Sequence, residues 1–124
     1  MILGSGRVSP NEEKWRHDNR WEAEEVTIAA VGVGGEQNLG AVVPAGLTRR
    51  ITQITVRHEG SNDTVVTLLI SGGATKWTYK VPTGMSRTIP LGNGREFAAA
   101  EQSAVQTSDV TGGNTYVSAS GVEA

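Results

Sequence analysis

From residue 24 onward, short runs of β-branched residues alternate with segments rich in glycine, asparagine and serine. The turn-forming segments are GGEQ, EGSND, SGGAT, PTGM, GNG and DVTGGN, and they recur about every 8–12 residues. The runs between them are rich in Val, Ile and Thr, the residue types that favour strands. This spacing predicts an all-β fold, an antiparallel β-sandwich of about eight strands that is either jelly-roll-like or Ig-like.

Two runs indicate how the strands are buried. In TRRITQITVRH, the side chains of Ile54, Val56 and His58 alternate with polar residues and therefore share one face. Ile51 is out of phase with that set, which predicts a β-bulge near Thr52–Gln53. The run TVVTLLI is apolar on both faces, a pattern typical of a central strand.

The run KWTYKV can be interpreted in two ways. Trp77, Tyr79 and Val81 share one face, and large aromatic side chains that precede a buried valine are typical of a core. The alternative is that Trp77 and Tyr79 form an exposed platform on which a surface glycan stacks, as in carbohydrate-binding modules. The core interpretation is favoured.

The first 25 residues are much denser in charge than the rest, with four basic and six acidic side chains. We therefore divide the chain into an N-terminal arm, residues 1–23, and a sandwich domain, residues 24–124. The sequence SPNE can start a short helix, and an extended stretch is expected to follow it. Tryptophan and arginine are enriched at binding hot spots, so the arm is predicted to contact a partner through four residues: Trp15, Arg16, Arg20 and Trp21.

One phrase occurs twice, as VPAGLTRRI from Val43 to Ile51 and as VPTGMSRTI from Val81 to Ile89. In each copy proline fixes φ and glycine supplies a position with positive φ, so both copies are predicted to turn a corner between strands. Leu47 or Met85 would then close the end of the core. A second interpretation is that the arginines of the phrases gather at one rim of the sandwich and bind an acidic partner; these are Arg49, Arg50 and Arg87.

Composition excludes several classes of function. The chain has no cysteine, so it has no disulfide and no thiolate chemistry. A net charge of −2 gives no bulk attraction to nucleic acid, and no apolar run is long enough to span a membrane. No secretory signal peptide is predicted, which fits a protein made in a cytoplasm.

No set of residues predicts catalysis. The two histidines, His17 and His58, accompany no nucleophile motif, and His58 is expected to be an exposed residue at the end of a strand. The adjacent pairs Glu12–Glu13 and Glu24–Glu25 cannot face each other as an acid–base dyad. We therefore predict a protein that is not an enzyme and has no catalytic residue, no metal site and no cofactor.

The segment from Arg49 to Glu123 resembles the small β-sandwich structural proteins of tailed bacteriophages and related viruses. The resemblance is carried by an I-x-x-I-x-V strand, a TVTL-like strand, a VPxGxxxxIPL corner and two late strands. In this sequence they are Ile51–Val56, Thr64–Leu68, Val81–Leu91, Ala104–Ser108 and Tyr116–Gly121.

The resemblance implies a virion part, most simply a capsid decoration (cement) protein that binds the major capsid protein and stabilises the head. Such a protein would be made in the host cytoplasm, reside on the capsid surface, form a homo-oligomer there and bind neither nucleic acid nor membrane. The alternatives are a tail, fibre or host-recognition module and a carbohydrate-binding module.

Overall fold

The chain folds into two antiparallel four-stranded sheets packed face to face. The structure, a computed structural model, describes residues 19–124. Among these residues, no helix is long and apolar enough to cross a membrane. The strands are β1 (Arg20–Ile28), β2 (Gln37–Asn38), β3 (Arg49–His58), β4 (Thr64–Ile70), β5 (Thr75–Val81), β6 (Ser86–Phe97), β7 (Ser103–Thr107) and β8 (Thr115–Glu123). The predicted all-β sandwich is confirmed.

Sheet A has the strand order β1-β8-β3-β6, and sheet B has the order β2-β7-β4-β5. Every neighbouring pair in both sheets is antiparallel. The edge strands are therefore β1 and β6 in sheet A, and β2 and β5 in sheet B. β4 lies between β7 and β5, as predicted for a central strand.

The core lies between the inner faces of the two sheets. It is made mostly of β-branched and leucine side chains, each of which contributes about 1.5–3 kcal/mol when fully buried. Phe97, at the end of β6, is the one phenylalanine and is also fully buried. The apolar side chains of valine size or larger with no more than 1% exposure are Ile28, Leu39, Val43, Ile51, Ile54, Val56, Val66, Leu68, Val81, Phe97, Val105 and Val117.

The predicted bulge in β3 is confirmed. The pairing of β3 with both β6 and β8 shifts between Ile51 and Gln53, so Thr52 is an extra residue relative to β8. The shift lets Ile51 and Ile54 both point into the core, although a regular strand would place them on opposite faces.

Trp77 and Tyr79 lie on the inner face of β5. They pair with Leu68 and Val66, which are fully buried, and both aromatic rings pack against the core. The two rings stack on each other with centroids 5.6 Å apart and an angle of 12° between their planes. Their position on the inner face, partly buried against the core, agrees with the core interpretation of the sequence.

The start of the sandwich differs from the predicted one. β1 begins at Arg20, so it crosses the boundary that we placed after Ala23. It does so because residues on both sides of Ala23 pair with β8. β2 has only two residues, and after it Leu39 and Val43 donate single hydrogen bonds to the carbonyls of Ser103 and Glu101.

The two repeated phrases form the same turn, as predicted. The N–H of Leu47 donates to the carbonyl of Pro44, the N–H of Met85 donates to that of Pro82, and both distances are 3.2 Å. The glycine in each turn has positive φ, 80° at Gly46 and 76° at Gly84. Leu47 and Met85 pack against the edge of the core. Each turn then leads into a strand, β3 or β6.

Replacing the turn glycines should destabilise the fold. We expect Gly46→Ala and Gly84→Ala each to lower the free energy of unfolding by about 1–2 kcal/mol, because an L side chain is disfavoured at positive φ. Urea unfolding at equilibrium measures the change. The matched control is Gly34→Ala, since Gly34 lacks positive φ and an added Cβ there has no neighbour within 4 Å. An equal loss in the control would contradict the turn-specific cause.

Candidate functional site

Arg49, at the start of β3, is a buried arginine at one end of the sandwich. Only 1% of its surface is exposed, although arginine is almost never fully buried without a partner. It shares the inward phase of Ile51, two residues later on the same strand. The guanidinium group must therefore find its hydrogen-bond acceptors inside the protein.

Strands β8 and β7 supply the hydrogen-bond partners of Arg49, and β1 supplies a third contact, Trp21. Its Nε donates to Glu123 Oε2 at 2.9 Å, and its Nη2 lies 2.7 Å from the same oxygen. Its Nη1 donates to Ser103 Oγ at 2.9 Å, and the Ser103 hydroxyl donates onward to the carbonyl of Leu39 at 2.6 Å. Because Glu123 belongs to sheet A and Ser103 to sheet B, the arginine joins the two sheets.

Trp21 covers the same guanidinium group. The centre of the group lies 4.3 Å from the centroid of the Trp21 ring, a distance at which a cation–π attraction is significant. The ring also packs closely on Gly40, where an added Cβ would lie only 2.7 Å from it. The start of β1 is thereby fixed to the body of the sandwich.

The C-terminal residue is held at this same end. Thr48 and Ala124 exchange backbone hydrogen bonds of 2.9 and 3.0 Å, and Arg20 pairs with Val122. We call this region, defined by Trp21, Arg49 and Glu123, the Arg49 end. Residues 1–18 join the sandwich at the Arg49 end.

The predicted arm residues fall into two groups. Trp15 and Arg16 lie outside the described residues. Arg20 is exposed, and its guanidinium lies 4.0 Å from the Glu22 carboxylate. Trp21 lies within β1, and its partly buried ring packs against Arg49 and the core of its own domain; its contact with a partner stays a prediction.

The three rim arginines do not gather in one place. Arg49 and Arg50 lie at the Arg49 end, whereas Arg87 pairs with Val56 near the opposite end of β3. The repeated phrases begin β3 and β6, and these neighbours run antiparallel, so their first residues, Arg49 and Ser86, are about 25 Å apart. Arg49 is buried, Arg50 pairs with Glu96, and Arg87 is exposed. The predicted common rim is therefore wrong.

A shallow polar trough lies beside Arg20 on the outer face of sheet A. Its main depression has a volume of about 380 Å³, and a second depression of about 250 Å³ continues it along β8. The floor is low because the residues of β8 there, Ser120 and Gly121, are small. β8 packs so closely on β3 that a Cβ on Gly121 would lie 1.9 Å from the Arg50 carbonyl oxygen. The residues common to both depressions are Glu22, Gln53 and Ser120.

His58 is buried and not exposed, which corrects our expectation. Only 1% of its surface is accessible, because it shares the inward phase of Ile54 and Val56. Its Nε2 donates to the carbonyl of Asn62 at 2.6 Å, and its Nδ1 is hydrogen-bonded to the Thr115 hydroxyl at 2.8 Å. Thr115 has no exposed surface either, so a substrate cannot reach this pair. The histidine holds the loop after β3 against β8.

Metal binding has no candidate within the part of the chain that the structure describes. No group of three or more His, Cys, Asp or Glu side chains there is arranged to hold a metal ion. The polar trough lies beside the start of β1 at the Arg49 end.

Removing the charge of Arg49 should be costly. We expect Arg49→Met to lower the free energy of unfolding by about 3 kcal/mol, because Glu123 and Ser103 would lose their buried partner. The control is Arg50→Met on the same strand, which breaks a partly exposed ion pair with Glu96 and should cost below about 1 kcal/mol. Urea unfolding followed by tryptophan fluorescence measures both. Equal losses in the two variants would contradict the role given to Arg49.

The Asp109 carboxyl should make the free energy of unfolding depend on pH in acid. Hydrogen bonds from the backbone and side chain of Thr111, and then from Asn62, lower the pKa of the Asp109 carboxyl below its usual 3.8. A lowered pKa stabilises the folded state above pH 3.8, and this contribution is lost as the pH falls through the folded-state value. The difference in unfolding free energy between wild type and Asp109→Asn should stay constant from about pH 7 to pH 5 and change below about pH 4. A difference that does not vary with pH would exclude this contribution.

Comparisons with known proteins give no family for the chain. No family model matches it, and no curated protein matches its sequence. Among solved structures, it is similar to the NLP core of Drosophila, whose crystal structure is described as giving insight into pentamer formation and histone binding. The two are 16% identical over 84% of this chain and 99% of that chain, with a TM-score of 0.39. A TM-score this low supports no conclusion about function.

Proposed function

We propose that this protein is a structural component of a virion, a capsid decoration protein that binds the major capsid protein lattice and is not an enzyme. It is made in the host cytoplasm and acts on the capsid surface. Residues 1–18 anchor it to the lattice, and the sandwich is the rigid body that they hold there. The sequence resemblance of residues 49–123 to phage β-sandwich proteins supports this assignment.

The observation that carries the proposal is that the start of β1, to which residues 1–18 are attached, is held firmly against the sandwich. Trp21 is held between Arg49 and Gly40, so residues 1–18 leave the sandwich from one defined point. A binding segment that is attached at a fixed point loses less conformational freedom when it binds than a segment that is attached to a mobile loop. The fold therefore supports a protein that acts by attachment.

The polar trough gives a second contact area next to that point. Arg20 and Glu22 line it, so a partner that binds the segment also meets the trough. The Gln53 side chain has no hydrogen-bond partner among residues 19–124, and its amide is available to a partner. A flat polar surface of this kind suits a protein partner whose contacts are distributed and partly hydrated.

Truncation tests the anchoring role. We expect deletion of residues 1–18 to abolish co-sedimentation of the purified protein with capsids while leaving the free energy of unfolding unchanged. The cut must fall before Asn19, because a cut after Glu22 would also remove Trp21 and destabilise the sandwich. Capsid binding that survives the shorter deletion would disprove the anchoring role.

Counting and locating the protein on intact particles tests the assignment itself. A decoration protein occupies a regular lattice position in many copies, and cryo-electron microscopy with quantitative mass spectrometry would show this. A few copies at a vertex or on a tail would instead establish a tail, fibre or host-recognition module. Complete absence from particles would refute a virion role.

A further inference from the structure

The two lateral edges of sheet A carry opposite charge. One edge is β1, which presents three exposed carboxylates in a run of four residues: Glu22, Glu24 and Glu25. The other is β6, beside which β5 of sheet B lies; the basic side chains of these two strands are Lys76, Lys80, Arg87 and Arg95, and their one carboxylate, Glu96 on β6, is paired with Arg50. β5 and β6 adjoin there, because Arg95 Nε donates to the carbonyl of Lys76 at 3.1 Å. We call these the acidic edge and the basic edge.

The acidic edge is only partly neutralised within the molecule. Glu22 lies 4.0 Å from Arg20, and Glu25 lies 3.3 Å from Arg57, in pairs whose side chains are half exposed. Glu24 has no hydrogen bond or ion pair among the described residues. Exposed pairs of this type contribute little, so the edge keeps its negative potential.

The basic edge is likewise open. Arg87 is exposed and has no ion-pair partner in the described part of the chain. Lys80 is 73% exposed and its amino group lies 3.9 Å from Asp63, a weak contact. Arg95 donates to the carbonyl oxygens of Lys76, Leu91 and Gly94, so its positive charge is hydrogen-bonded without being neutralised.

The register of sheet A places Glu24 and Arg87, which have no ion-pair partner among the described residues, close to one row of paired residues across the sheet. Val26 pairs with Val117, Val117 with Val56, and Val56 with Arg87, so these four residues form one row across the four strands. Glu24 lies two residues before Val26 on β1. A second copy shifted sideways along the row would therefore place its Glu24 near Arg87 of the first copy.

Strand direction permits the same arrangement. Neighbours in sheet A are antiparallel throughout, so β1 and β6, three strands apart, also run in opposite directions. A second copy in the same orientation thus presents its β1 antiparallel to β6 of the first. The alternative two-fold contacts would place β1 against β1 or β6 against β6, and each would bring like charges together.

We propose that the acidic edge of one copy binds the basic edge of the next, so that the protein associates with itself side by side and in a single direction. Contacts of this heterologous type form rings when the rotation closes and open chains when it does not. The bulge between Ala23 and Val26 and the Pro90 residue in β6 interrupt regular strand pairing. The contact is therefore made by ion pairs between side chains. It does not depend on capsids or on the proposed function.

Charge reversal tests the proposal in solution. We expect the weight-average mass of the full-length protein to rise with concentration in sedimentation at low salt. The rise should disappear near 0.5 M NaCl, where the screening length falls to about 4 Å. Glu24→Lys and Arg87→Glu should each weaken association about tenfold. The control is Glu101→Lys, which makes the same charge change in the loop between β6 and β7, away from Arg87 and β1, and should leave association unaltered.

Mixing the two variants identifies the geometry. In an equimolar mixture, the new positive charge at position 24 of the Glu24→Lys variant meets the new negative charge at position 87 of the Arg87→Glu variant. Opposite charges therefore face each other again. Association should therefore return toward the wild-type level, as it should in the double variant. A wild-type protein that remains monomeric at millimolar concentration and low salt would overturn the proposal. So would association that Glu24→Lys and Arg87→Glu leave unchanged, or that mixing fails to restore.

Discussion

The structure depends on how a single buried charge is satisfied. The Arg49 guanidinium contacts a carboxylate from β8, a hydroxyl from β7 and an indole ring from β1. These groups come from both sheets and from distant parts of the sequence, so no local element could hold them together alone. A charged group removed from water requires all its partners at once, which makes this end of the sandwich form as a unit. The position of Trp21 at the start of β1 follows from that requirement.

Most of the fold could be predicted from local sequence patterns. Turn residues and alternating side chains indicated β3, β4, β5, β7 and β8 to within a few residues, and the phase change at Ile51 indicated the bulge. β6 is a correction, because the segment GNG was predicted to be a turn and the strand instead continues through it to Phe97. The burial of His58 was also present in the sequence, since it alternates with Ile54 and Val56. We gave more weight to the usual exposure of histidine than to this phase, and the expectation was wrong.

The candidate site was much less predictable. Arg49 and Glu123 are 74 residues apart in sequence, and nothing near either of them indicates the other. Their contact follows from the strand order, which local patterns do not determine. The common rim for Arg49, Arg50 and Arg87 failed for the same reason. A repeated phrase suggests repeated local geometry, but only the direction of neighbouring strands decides whether two copies lie together.

The extra residue at Thr52 has a consequence for how the gene can vary. Relative to β8, β3 carries one residue more, and the bulge at Thr52 absorbs it without changing which side chains point inward. Loss of Thr52 would place Ile54 two residues after Ile51 in a regular strand, so Ile54, Val56 and His58 would still point into the core. A deletion or insertion between Ile54 and His58 has no bulge to absorb it and would turn the inward residues on one side of it outward. Descendants of this sequence should therefore gain or lose a codon in β3 only at Thr52, and elsewhere in the strand vary in amino-acid identity alone.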